Sequence, residues 1–163
     1  RQRQMCIRDR LEKLICYALD RDVITAEDVM AVTTEQTTNK IFEMVNAIAE
    51  HNQRKALDLY YDLLTLKEPP MRILFLLAKQ FRQLLLVKEY AEEGIPQPVM
   101  ASRLGVPSFV AKNIAVCARS YRISELRQAV TDFVDAEEAV KTGRLQDVLS
   151  VELLIVKYSS ARR

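Results

Sequence analysis

From Leu11 onward the apolar residues recur every three to four positions, the spacing of one face of an α-helix rather than the alternation of a strand. Leu11, Leu14, Ile15 and Ala18 open the pattern, Asp20-Arg21-Asp22 breaks it as a turn, and Thr25 is placed to cap a short helix running through Val32. These two short helices are too small to bury themselves. Thr33 to Asn39, rich in Thr, Gln and Asn, reads as a linker and marks a domain boundary. The pattern then sharpens. Ile41, Phe42, Val45, Ile48 and Ala49 line one helical face, and Ala56, Leu57, Tyr60, Leu63 and Leu64 repeat it after a break at His51-Asn52.

Pro69 and Pro70 suit the start of a third long helix, because a proline in the first turn gives up no hydrogen bond the helix needs. That helix is expected to run to Gly94. It is apolar nearly all round from Ile73 to Leu77 and from Leu84 to Val87, which places it centrally with other helices packed about it. Past Pro96 and Pro98 the pattern gives a short helix through Leu104 and another from near Pro107 to Tyr121. Ser124 is the expected cap of a helix carrying Leu126, Ala129, Val130, Phe133, Ala136 and Val140 on one stripe and closing at Gly143. Asp147 is placed to cap a last, very apolar helix. Val151 to Val156 has a strand-like composition, but no second β-rich run exists to pair with it, so it reads as helix.

Composition supports this all-α reading. The 163 residues contain only three glycines and no tryptophan, too few turn formers for a many-stranded protein. With 49% hydrophobic and 28% charged residues the chain is expected to fold rather than to be disordered. A formal net charge of +2 advertises no general affinity for nucleic acid, so any DNA contact has to be local. The Ile73–Ala78 run is bracketed by Arg72, Lys79 and Arg82, far short of the roughly 18 apolar residues a membrane span needs. The first ten residues, RQRQMCIRDR, have no periodicity and resemble a translated sequencing-adapter remnant, so the natural protein is expected to extend upstream of Leu11. The expected organisation is an artefactual tail at 1–10, a helical remnant at 11–34 and a helical domain at 35–163.

Candidate chemistry is sparse. No glycine-rich phosphate loop, nucleophile with a histidine base or shaped carboxylate pair is present, so no catalytic residue, cofactor or metal is expected. Glu92-Glu93 and Glu137-Glu138 are helix neighbours that diverge by about 100° and read as solvated surface. Cys6, Cys16 and Cys117 share no metal-ligand spacing; Cys16 and Cys117 sit among apolar neighbours and read as buried small hydrophobes in a reduced, cytoplasmic setting. His51 reads as a helix-end residue. Arg119, Tyr121 and Arg122 form a local group suited to touching phosphates or stacking on a base. Met100 to Lys112, with Leu104-Gly105-Val106 at the bend, resembles a helix-turn-helix reader of DNA. Its second helix would begin Ser108, Phe109, Val110 and Ala111, with Lys112 and Asn113 but no early arginine to read guanine edges.

Taken in order, the segments resemble one known family. LEKLICYALDRDVITAEDVMAVT resembles the last lid helices of the delta subunit of the bacterial DNA polymerase III clamp loader, a lid that follows an AAA+-like domain. IFEMVNAIAEHNQRKALDLYYDLL, EPPMRILFLLAKQFRQLLLVKEY, LGVPSFVAKN and AEEAVKTGRLQDVLSVELLIVKY resemble its C-terminal domain, with Gln146-Asp147 where relatives often carry Asp-Pro. The resemblance implies a helical collar that joins delta to delta-prime and the motor (tau/gamma-type) subunits in a pentameric ring. The sliding clamp would be met through an N-terminal domain outside this chain, and primed DNA through the whole complex. It also implies a non-catalytic chain, although the family is commonly grouped with DNA-directed DNA polymerase, a nucleotidyltransferase, as a holoenzyme component. Lys141 and Arg144, in the Lys141-Thr-Gly-Arg-Leu145 run, are the expected partner contacts. The alternative is a DNA-binding regulator built on residues 99–121.

Overall fold

The structure, a computed structural model, describes residues 11–17 and 23–160; the ten-residue tail with Cys6 and the Asp20-Arg21-Asp22 turn lie outside them. All regular structure among the described residues is helical: α1 (residues 11–17), α2 (Ala26–Ala49), α3 (Gln53–Thr65), α4 (Pro70–Glu92), α5 (Gln97–Leu104), α6 (Ser108–Ala118), α7 (Ile123–Lys141) and α8 (Asp147–Ser159). The chain divides into two compact units, Arg1–Lys40 and Ile41–Arg163.

In the first unit, Thr25 caps α2 as expected. Its hydroxyl accepts the Asp28 N–H at 3.3 Å, and the Asp28 carboxylate accepts the Thr25 N–H at 2.9 Å. The linker expected at Thr33–Asn39 is instead helical and part of α2. Thr, Gln and Asn each cost a helix no more than about 0.7 kcal/mol, and no glycine or proline interrupts the run, so a well-capped helix propagates through them. Cys16, expected to be buried, is exposed together with Leu11, Ile15 and Tyr17 on α1.

The second unit is organised around α4, which packs against α5, α6, α7 and α8, while α8 also lies against α3 and α7. Ile73, Leu74, Leu77, Phe81, Leu84 and Val87 are the buried apolar side of α4. The Phe81 ring meets Phe133 of α7 at 5.1 Å between centroids, Tyr121 at 5.7 Å and Tyr158 of α8 at 5.8 Å. Aromatic pairs at such separations add about 0.5–1.5 kcal/mol each beyond the area they bury. Met44 and Ala47, which the stripe read from the sequence omits, join Ile41, Val45 and Ile48 in the core.

Tight turns link the helices. The glycines at 94, 105 and 143 close α4, α5 and α7 with positive φ; Gly143 (φ 72°) lets the Arg144 N–H return to the Ala139 carbonyl at 2.8 Å. His51 (φ 56°) and Lys67 (φ 62°) do the same for α2 and α3 without being glycine; the N–H groups that follow them reach Ala47 and Leu63 at 2.8 and 3.1 Å. Asn52 then caps α3 through the Lys55 N–H. Three expected boundaries shift. The break before α5 ends at Pro96, so Pro98, expected to precede the helix, lies in its first turn, and α6 ends at Ala118, short of Tyr121. α7 starts at Ile123, where the Glu125 carboxylate takes the Arg122 N–H at 2.7 Å, so Ser124 is not the cap. Asp147 is the first residue of α8, its carboxylate accepting the Val148 N–H.

Two substitutions test this description by denaturant unfolding. Lys67→Gly is expected to raise stability by about 0.5–1 kcal/mol by relieving a left-handed residue. Phe81→Ala is expected to lower it by about 3–5 kcal/mol; a loss under about 1 kcal/mol would mean that the rings around Phe81 do not hold the helices together.

Candidate functional site

Chemistry inside the second unit is spent on holding helices in register. The buried Tyr60 hydroxyl donates to the Val148 carbonyl at 3.0 Å, tying α3 to α8, and the buried Tyr121 hydroxyl reaches the Val45 carbonyl at 3.5 Å. Burial pushes both phenols well above their ordinary range; the Glu152 charge adds to the shift at Tyr60, and Cys117 adds to it at Tyr121. Burial, reinforced by the Glu50 charge, pushes the Cys117 thiol up to about 11, so it stays protonated and unreactive near neutrality. Ser150, at 1% exposure, has a hydroxyl without a hydrogen-bond partner.

Asp132 joins α7 to α8. It accepts hydrogen bonds from Lys157 and Tyr158 of α8 and, at 3.0 Å, from Gln128 one turn earlier on α7. Burial alone would raise its pKa, but Lys157, Tyr158 and Gln128 outweigh that and hold the carboxyl below its ordinary value. Burial and the Asp132 carboxylate push the Tyr158 phenol upward. Lys157 and Tyr158 also border a surface cleft of about 230 Å³, with His51, Tyr121, Glu125 and Gln128 around it. Ser120 and Ser160 also line it, and the Ser160 hydroxyl donates to the Val156 carbonyl of its own helix; no group of three potential metal ligands occurs among the described residues.

The candidate contact residues separate into three environments. Tyr121 is corrected from a stacking residue to a core residue: it is 7% exposed, hydrogen-bonded to Val45 and edge-on to Phe81. It was expected as the last residue of a helix beginning near Pro107, but that helix ends at Ala118 and the turn after it folds the ring inward. Arg119 and Arg122 are exposed on either side of it. Lys141 and Arg144 are exposed near the end of α7, and both are paired, with Glu137 at 2.5 Å and Glu138 at 3.2 Å; Arg144 also donates to the Thr142 hydroxyl. Those pairs account for the Glu137-Glu138 doublet as surface charge.

α5 and α6 do form the helix, turn, helix order expected around Leu104-Gly105-Val106, and Ala111 and Ile114 bury one side of α6. The outer side carries Ser108, Phe109, Lys112, Asn113 and Val116; Lys112 is the one basic residue within the helix, and Phe109 is 69% exposed. Apolar exposure and a single cation are a poor match to a phosphate-lined groove. The exposed features that reading from sequence missed lie elsewhere, at Tyr61, Phe75, Val134, Leu149 and Leu153. The all-round apolarity of the last helix was the signal that could have located Leu149 and Leu153.

Comparisons with known proteins converge. The family described as "DNA polymerase III delta subunit, C-terminal domain" matches residues 38–158. The DNA polymerase III subunit delta of Bacillus subtilis (strain 168) is 33% identical over 147 residues, covering 90% of this chain and 42% of that protein. The solved structure of the Bacillus subtilis DNA clamp loader delta protein superposes with a TM-score of 0.75 at 32% identity, covering 93% of this chain and 44% of that one. The chain thus spans under half the length of these relatives. None of these comparisons supports the DNA-binding regulator.

The Asp132 hub makes a pH-dependent prediction. A carboxyl held below the unfolded value of about 3.9 stabilises the fold above that pH, and the contribution is lost as pH falls through the folded-state value. Asp132→Ala is therefore expected to cost about 1–3 kcal/mol at pH 7 and clearly less at pH 3. Urea unfolding of both proteins at the two pH values checks this; an equal cost at both would contradict it.

Proposed function

This chain belongs to the family formed by the C-terminal domain of the DNA polymerase III delta subunit, and from that membership we propose that it is the assembly domain that holds delta in the clamp-loader ring. The observation that carries the proposal is the near coincidence of the family match, residues 38–158, with the compact unit that begins at Ile41. The chemistry of that unit fits the role. Its polar interior groups tie helices together, and its outer faces leave large apolar side chains exposed on α3, α4, α6, α7 and α8.

In this reading the neighbours are delta-prime and the motor subunits of tau/gamma type. The domain neither hydrolyses ATP nor transfers nucleotides; it is grouped with the polymerase because the complete holoenzyme polymerises DNA. Contact with the sliding clamp belongs to a part of the full-length protein that this chain does not span, and primed DNA is met by the assembled complex. Arg119 and Arg122 are the side chains proposed to approach phosphate, and Lys141 and Arg144 to approach a neighbouring protein of the ring. The setting is the cytoplasm; no helix among the described residues is long and apolar enough to cross a membrane. The boundary near residue 35 would separate the remnant of the lid, residues 11–34, from the collar.

Mixing the purified chain with delta-prime and motor subunits of a related bacterium, followed by size exclusion with light scattering, tests the proposal. A heteromer of defined mass containing this chain is the expected result. Separate elution of every component, with the chain folded by circular dichroism, would overturn it.

A further inference from the structure

α8 is apolar on nearly every side, yet one of its sides faces solvent. Val151, Leu154 and Ile155 turn into the core, whereas Leu149 and Leu153 are 41% and 51% exposed, and the half-buried Val156 continues their row at i, i+4 and i+7. A helix side meant for water is ordinarily polar, so this ridge is built to be covered. Tyr61 of α3 widens it. Tyr61 is 47% exposed, and its hydroxyl donates to the Glu152 carboxylate at 2.8 Å, which fixes the ring beside α8. Glu152, with Asp58 and Asp62 exposed on α3, makes the flank of the ridge beside Tyr61 acidic, while the exposed cations Arg54 and Lys55 lie at the N-terminal end of α3. On the opposite flank Lys157 is neutralised by Asp132.

α4 carries the reverse pattern. Arg72, Phe75, Lys79 and Arg82 follow one another at i, i+3, i+7 and i+10 on a single exposed side, with Phe75 62% exposed. Arg72 pairs with Glu68 at 3.3 Å, whereas Lys79 and Arg82 have no acidic partner among the described residues.

We infer that the face formed by Tyr61, Leu149, Leu153 and Val156 docks a helix of the adjacent ring protein that presents an apolar side chain inside a basic rim, the pattern that α4 shows here. The inference rests on the assembly function proposed above. Charge selects this occupant: an acidic flank attracts a basic rim and repels its own kind, so two identical α3–α8 faces do not pair. Successive domains then meet head to tail through different faces, the geometry that closes a ring.

The test uses the full chain with delta-prime and motor subunits, the wild type beside Leu149→Glu/Leu153→Glu and beside Asp58→Lys. The double variant is expected to assemble at least about tenfold more weakly. Asp58→Lys is expected to weaken assembly at low salt, by a factor that shrinks as salt is raised. Assembly of both variants as tightly as the wild type would overturn this face while leaving the assembly function standing. If the wild type does not assemble, the function falls and the face with it. If the wild type alone forms dimers that the double variant abolishes, the occupant is a second copy and the inference is overturned. If the double variant loses its helical circular dichroism, the salt series of Asp58→Lys decides.

Discussion

A helix with a broad apolar side is stable in water only when other elements cover that side, and α4, which buries Ile73, Leu74, Leu77, Phe81, Leu84 and Val87, imposes that requirement on the helices packed against it. Phe81 sits where the demand is greatest, with rings from the α6–α7 turn, α7 and α8 gathered around it. The helices around it are ended by local capping bonds, in which residues as unlike as Gly143, His51 and Lys67 all adopt left-handed backbone. The sharp reversals keep the flanking helices close enough to cover α4.

The buried tyrosine hydroxyls and the Asp132 carboxylate of this unit join one helix to another. Tyr60 and Tyr121 hydrogen-bond to carbonyls of other helices, and Asp132 binds Lys157 and Tyr158 across the α7–α8 contact. These groups act as fasteners, with pKa values displaced away from the range useful for proton transfer near pH 7. What is left for recognition is the outside: an acidic, aliphatic face on α3 and α8 and a basic, aromatic strip on α4. On the assembly role proposed above, those faces would do the work, and a rigid interior would serve to present them.

Much of the fold was legible because the apolar period is regular. Leu126, Ala129 and Phe133 are buried on α7 as their spacing required, and the proline and glycine punctuation marked α4 correctly. Misreadings arose where a residue type suggests one environment and its neighbours impose another. The Thr-rich stretch before Ile41 looked like a linker, but an upstream cap and the absence of breakers keep it helical. Tyr121 looked available between two arginines, although the turn that exposes Arg119 and Arg122 carries its ring into the core. The exposed apolar positions were hardest to see. An apolar residue at a helix position reads as core whichever side it is on, so Phe75 and Leu153 were assigned to the interior until the packing of their helices was known.

Hydrogen exchange, followed on the chain alone and within a reconstituted clamp loader, tests the assembly role most directly. If the domain is held in the ring by its outer helix faces, amides of α4 that are already protected by the core should change little, while α3 and α8 should slow on assembly. Unchanged exchange throughout the second unit, in a complex that demonstrably contains the chain, would show that delta is held by another part of the protein and would contradict the assembly role given to this domain.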